Sequence, residues 1–269
     1  MTILQLPDDW HWQTWHGLPY LTCDLLQDWQ HGFFTRQFHP QTPDELSSIL
    51  QPAVQAFRVK QVHGNRVLTT SEWLAVSYAT TEDYPQADGL VTAGVNQAVW
   101  TCSADCTPVL IADARSGQVA AVHSGWRGTA QKVVPETVRR LREQGSQLAD
   151  LRVALGPAIA GDIYQVGKDV ALETVATLIP GESREEVLAT LAALPNSPVL
   201  PDPDPDRVRL DVRRVIMLQM EQLGIAPEQM AIAPYCTYQQ PDQFFSYRRD
   251  RQKQVQWSGI VSREPSCSL

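Results

Sequence analysis

Four short apolar runs follow one another between Ala87 and Ser124, and this block constrains the fold more than any other feature of the chain. ADGLVT (87–92), AVWTCS (98–103), PVLIAD (108–113) and VAAVHS (119–124) each have the length and composition of a strand. Only turn-forming stretches separate them, among them Ala114-Arg115-Ser116-Gly117. Strands that are neighbours in sequence favour a layered α+β arrangement over a doubly wound sheet. Helical patterns surround the block. They cover Pro43 to Leu50, a stretch from Ala130 to near Gly145 with Val133, Val134, Val138 and Leu141 on its apolar face, 167–178 and 182–193. A further helix runs from an Asp211 cap to a stop at Gly224. More strands are expected at 55–62 and 67–70, with Gly64-Asn65 as a hairpin turn between them. Others fall at 151–155, 230–234, 243–248 and 254–261. The expected class is mixed α/β (α+β), a single layered sandwich with central mixed sheets flanked by helices. One domain spans 1–269, and PNSPVLPDPDPDR (195–207) is a surface loop within it, since alternating Pro and Asp resist helix and sheet.

Composition narrows the function. With 43% hydrophobic and 19% charged residues in 269, the chain is a folded protein and not a disordered one. Acidic residues outnumber basic ones by 30 to 22, and a net charge of -8 argues against a general nucleic-acid binder. No apolar run approaches 18 residues, so no membrane span is expected. MTILQLPDDWHWQTW lacks the basic start and apolar run of a signal peptide. Five irregularly spaced cysteines make no disulfide scaffold, and a cytoplasmic protein is the expectation. Neither GxGxxG nor GxxxxGK[ST] occurs. No exposed apolar helix face demands a partner, so a monomer is expected.

Two of the six histidines stand at strand ends beside glycines: His63 in KQVHG and His123 in VHSGWRG. Cys106, in SADCTPV, follows another strand. Two imidazoles and a thiolate suit zinc and leave a fourth position open. Their separations of 43 and 17 residues match no zinc-finger spacing, so the same residues also allow a metal-free Cys-His nucleophile or structural roles. Cys102 is either a core thiol or an addition to the site. Cys236 could line a pocket, and Cys23 and Cys267 look peripheral. Arg127 in the GWRG turn, Arg248 in SYRRD and Arg36 at the end of HGFFTR are candidate anion holders, against the alternative of surface ion pairs. Asp88 either orients a metal-bound histidine or caps its own turn. Trp126 or Phe244-Phe245 could stack on a base or pack in the core.

Taken in order, KQVHGNRV, ADGLVT, SADCTPVLIAD, VAAVHSGWRGTA, ALGPAI with YQVG, and PYCTY with FFSYRRD resemble the bacterial multicopper polyphenol oxidase or laccase-domain family, now regarded as purine nucleoside phosphorylases. The resemblance runs from HGFFTR to the last strand. It implies an α/β domain of layered sheets and helices, and a zinc site made by His63, Cys106 and His123. It further implies phosphate-dependent cleavage of adenosine, inosine, guanosine and methylthioadenosine, with adenosine deamination as a second activity. On this reading His63, Cys106, His123 and Arg127 are the catalytic candidates. Arg127, Arg248 and Arg36 are the candidates for ligand binding, and purine nucleosides and phosphate are the partners. A metal-free Cys-His hydrolase, a copper polyphenol oxidase and a non-catalytic zinc protein are the alternatives. The chain departs from the family pattern in QFHPQTPDELSS and RQKQVQ, where substrate preference is expected to differ.

Overall fold

The structure is a computed structural model and describes residues 9–79, 84–179, 186–187, 190–191, 194 and 196–266. From the N-terminus the chain lays down β1 (Trp10–Trp15), β2 (Leu18–Cys23), β3 (His31–Phe34) and α1 (Pro43–Leu50). β4 (Gln55–Phe57), β5 (Val67–Thr69) and α2 (Thr70–Ala79) follow. The central block supplies β6 (Gly89–Val91), β7 (Gln97–Ser103), β8 (Thr107–Asp113) and β9 (Val119–Ser124). Then come α3 (Trp126–Ala130), α4 (Val133–Glu143), β10 (Leu151–Leu155), β11 (Gln165–Gly167) and α5 (Lys168–Val175). The last part holds β12 (Val199–Pro201), β13 (Arg207–Leu210), α6 (Val212–Leu223), β14 (Met230–Ile232), α7 (Tyr247–Asp250) and β15 (Gln256–Val261).

Two six-stranded mixed sheets carry the architecture, in the orders β1-β2-β3-β15-β7-β4 and β14-β10-β8-β9-β6-β5. Period-2 alternation explains how they stack. In β8, Val109 and Ile111 face a cluster shared with Val133, Val138 and Leu141 of α4 and Val215 and Ile216 of α6. Leu110 and Ala112 face the other way and pack with Phe33, Phe57, Val99 and Ile260 of the first sheet. The outer face of that sheet, with Phe34, Trp100 and Val261, is covered by Leu46 and Leu50 of α1. The layers are therefore helix, sheet, sheet, helix, the expected sandwich with mixed sheets flanked by helices. β8 and β9 are buried along their whole length because both of their faces are covered.

Local signals placed most elements. α1 begins at a Thr42–Glu45 capping box with Pro43 in the first turn. α6 begins where the Asp211 carboxylate accepts from the Arg214 N–H, and it ends at Gly224, whose φ is 92°. Four expectations need correction. β4 and β5 make no hairpin at Gly64-Asn65: each pairs in parallel, β4 with β7 and β5 with β6, in different sheets. The stretch 243–248 forms no strand; Phe244 and Phe245 are buried and the chain then turns into α7. The Pro/Asp stretch is not all loop, since β12 pairs with β13 in a three-stranded sheet ordered β11-β13-β12. Its Pro201 is tolerated because β12 is an edge strand. The helix expected from Ala130 starts only at Val133, after Lys132 takes a left-handed φ of 60°, and the residues just before Ala130 form the separate short helix α3. The helix expected at 182–193 lies mostly outside the described residues. Among the described residues no helix is long and apolar enough to cross a membrane.

Candidate metal centre

The histidine at 63 sits in a segment with little regular structure, 58–66, which is held by side chains instead. Gln61 imitates a strand partner: its Nε2 donates to the Cys102 carbonyl at 2.8 Å and its Oε1 accepts from the Cys102 N–H at 2.8 Å. The Asp88 carboxylate then gathers the turn, accepting from the N–H groups of Val62 at 3.2 Å, His63 at 2.9 Å and Gly64 at 2.7 Å. These bonds hold His63 at a φ of 60°, a conformation few residues adopt unaided. Cys106 is delivered by the crossing from β7 to β8, and His123 by the penultimate position of β9.

Three segments therefore meet at one point. One nitrogen from each of His63 and His123 and the Cys106 Sγ lie within 4.8 Å of one another, and the two imidazole rings stand edge to face with centroids 4.8 Å apart. A tetrahedral ion bound by such donors needs them about 3.3–3.6 Å apart, given bonds of about 2.0–2.3 Å, closer than the 4.8 Å within which they lie here, so it is the chemistry of the donors, two imidazoles and a thiolate, that suits a divalent ion of zinc type. His123 is buried, Cys106 half-buried and His63 exposed, which leaves one side open to solvent. Backbone shape also fits: a Cβ on Gly125 would come within 2.6 Å of the Cys106 Sγ, so only glycine leaves the thiolate its place.

Asp88 orients a histidine, as one of its two sequence readings has it, but the turn it caps is the distant 62–64 turn and not its own. Besides capping the 62–64 turn, its Oδ1 accepts from His123 Nδ1 at 2.9 Å. That bond fixes the ring and turns Nε2 toward Cys106 and His63, the usual arrangement behind a metal-bound histidine. The electrostatics follow from this packing. Burial raises a thiol, but His123 and His63 outweigh it and bring Cys106 down to about 6. Burial lowers an imidazole, but the Cys106 thiolate and the Asp88 carboxylate outweigh it and lift His123 to about 9. Burial works against the Asp88 charge too, yet hydrogen bonds from His123 and Gly64 keep its carboxyl below the usual range.

A small cleft of about 40 Å³ lies beside the cluster, lined by Asp105, Cys106, Trp126, Ile159, Tyr164 and Val212 together with Thr107, Ser124 and Gly125. Tyr164 and Asp105 had no role assigned from sequence. Asp105 stands at the cleft simply by preceding Cys106, and what no local pattern reports is its pair of distant partners, Thr237 and Arg248. Burial pushes the Tyr164 phenol up to about 12; the Cys106 and Asp105 charges add to this, while Arg248 and Arg127 oppose it. Arg248 lies over the Tyr164 ring at 4.8 Å and Arg127 over Trp126 at 4.5 Å, so both candidate cations border the cleft. Arg36 is engaged elsewhere: it donates to the Pro241 carbonyl at 2.7 Å and lies over Phe245 at 4.5 Å. Phe244 and Phe245 are core residues, and Trp126 is the aromatic left at the cleft. Cys102 stays outside the cluster as a thiol that burial raises to about 12, and the buried Cys236 accepts from the Ala160 N–H at 3.3 Å. Cys267 lies outside the described residues.

Comparison with known proteins accords with this geometry. The family model described as multi-copper polyphenol oxidoreductase laccase matches residues 44–263. A purine nucleoside phosphorylase of Synechocystis sp. is 52% identical over 258 residues, covering 95% of this chain and 98% of the relative. Among solved structures, the hypothetical protein YfiH of Bacillus licheniformis superposes with a TM-score of 0.72 at 25% identity, covering 91% of this chain and 96% of that one. YlmD of Geobacillus stearothermophilus gives a TM-score of 0.73 over 96% of this chain and all (100%) of that one; at 24% identity it speaks for the fold alone. Matched across most of its length, and more than half identical to such a relative almost from end to end, the chain belongs to the multi-copper polyphenol oxidoreductase laccase family.

Proposed function

We propose that this chain is a zinc-dependent purine nucleoside phosphorylase acting on adenosine, inosine, guanosine and methylthioadenosine, with adenosine deamination as a second activity. The observation that carries the reading is the convergence of His63, Cys106 and His123, with Asp88 behind His123, at the mouth of a cleft bordered by two arginines. The name borne by the Synechocystis relative supports the substrate class. When bound, zinc supplies Lewis acidity toward water or a substrate oxygen.

The chain's own residues then divide the work. Arg127 and Arg248 hold phosphate so that one of its oxygens faces the anomeric carbon of the ribose. As the new C–O bond forms, the bond from that carbon to the purine nitrogen breaks, and the purine leaves with the electron pair and takes up a proton. Trp126 offers an apolar face for the base. No glutamate lines the cleft among the described residues; its titratable groups besides Cys106 are Asp105 and Tyr164.

Other chemistries fit less well. A metal-free Cys-His nucleophile needs one imidazole, and here a second converges on the same sulfur. A copper electron-transfer centre adds a long axial methionine, glutamine or backbone oxygen to two histidines and a cysteine; Met217, Met220 and Met230 are packed in the core and supply no such ligand. The remaining histidines are occupied apart from the cluster: His11 with Asp24, His31 between Trp29 and Cys23, His16 against Trp15 and His39 against Phe245. The test is a time course of zinc-loaded protein on adenosine with and without phosphate, resolving adenine, inosine and hypoxanthine. Phosphate-dependent release of adenine is the expected result. Absence of turnover under both conditions overturns the reading.

A further inference from the structure

We propose that Asp105 is a positioning residue that holds the metal-binding side of the cleft, through Cys106, and its cationic side, through Arg248, in one register. Asp105 stands in the crossing from β7 to β8, where the chain leaves one sheet for the other, with a φ of 93°. That region favours glycine, so an aspartate there points to a use for its side chain. Both carboxylate oxygens are engaged. Oδ1 accepts from Thr237 Oγ1 at 2.7 Å, and Oδ2 accepts from the Arg248 N–H at 2.7 Å. The Asp105 carbonyl accepts from the Ile159 N–H at 3.0 Å. Arg248 in turn donates to the Gln165 carbonyl at 2.9 Å and lies over the Tyr164 ring.

These contacts form a chain along the cleft, from Cys106 through Asp105 to Arg248 and Tyr164. The residues tied together lie 132 and 143 positions from Asp105, so no local backbone constraint substitutes for the carboxylate. Without it, the loop carrying Cys106 and the short helix α7 carrying Arg248 lose the side-chain link that Asp105 makes between them and shift independently. The role of Arg248 in this inference rests on the phosphate reading given above; the role of Cys106 rests only on its place in the donor cluster.

Two variants test it. Asp105→Gly removes both side-chain bonds while relieving the backbone, so the fold persists. Asp105→Asn keeps both, with Oδ1 accepting from Arg248 N–H and Nδ2 donating to Thr237 Oγ1. Zinc release to a chromophoric chelator is expected to be about tenfold faster in D105G than in wild type, with D105N within about threefold. The inorganic phosphate concentration giving half of the phosphate-induced rise in Tm is expected to move up about tenfold in D105G, and again far less in D105N. Zinc release from D105G at the wild-type rate overturns the Cys106 half whatever the turnover. An unchanged phosphate midpoint, or a wild type whose Tm ignores phosphate, overturns the Arg248 half. Failure of the phosphorylase reading itself shows separately, as a wild type that holds zinc and turns over no nucleoside.

Discussion

At the scale of single residues, the site is a set of opposed charges held by packing. Cys106 is brought down to about 6 and His123 up to about 9, so in metal-free protein a thiolate–imidazolium pair persists between those values. The signs of the two contributions differ. The Cys106 contribution to stability is complete above its ordinary value of 9.0 and is lost as pH falls toward about 6. The His123 contribution is complete below its ordinary 6.5 and is lost as pH rises through about 9. Reactivity follows the thiolate. Iodoacetamide is therefore expected to alkylate Cys106 of zinc-stripped protein about tenfold faster at pH 7 than at pH 5. Mass spectrometry of the peptide checks this, and a rate that rises only above pH 8 contradicts the pair. Added zinc is expected to protect the same cysteine. His123 was legible at the end of an apolar run and Cys106 just after one, whereas the strand expected to deliver His63 stops at Phe57 and that histidine was legible through its KQVHG motif. Asp105 was not: its value depends on Thr237 and Arg248, which approach it only in three dimensions.

At the scale of elements, the junction of β9 and α3 shows how backbone shape serves the site. His123 is the penultimate residue of the buried strand, and Gly125 lets the chain pass against the Cys106 sulfur before α3 begins at Trp126. Gly125→Ala places a methyl 2.6 Å from that sulfur, and one of the two has to move. The variant is expected to stay folded by circular dichroism but to lose zinc to a chelator at least about tenfold faster than wild type. Retention of zinc at the wild-type rate would show that the sulfur has room. Elements of this kind were readable where the signal was local, as in the α1 capping box or the Asp211 and Gly224 ends of α6. Reading failed where pairing decided the outcome. β4 and β5 look like two arms of a hairpin, yet each finds its partner in a different sheet.

At the scale of the whole molecule, the donors come from a loop anchored on both sheets, from the crossing between the sheets, and from the end of β9. A bound ion thus cross-links segments that separate on unfolding, and its affinity adds to stability by mass action. At free zinc about a hundredfold above Kd the gain is about 2.7 kcal/mol, which for a chain of this size raises Tm by about 5–10 °C. Calorimetry before and after chelation measures it; an unchanged Tm means that the three residues hold no ion in solution. The sequence by itself determined the strand-rich centre and the capped helices, since each is written in periodicity or chemistry within a few residues; His63, Cys106 and His123 stood out there as candidates, and the resemblance carried by six ordered motifs joined them into one site. Only the tertiary structure decided which strands share a sheet, that Asp88 serves His63 and His123 together, and that Asp105 joins Cys106 to Arg248. Those outcomes depend on contacts across tens to more than a hundred residues, and a linear pattern holds no record of distances in space.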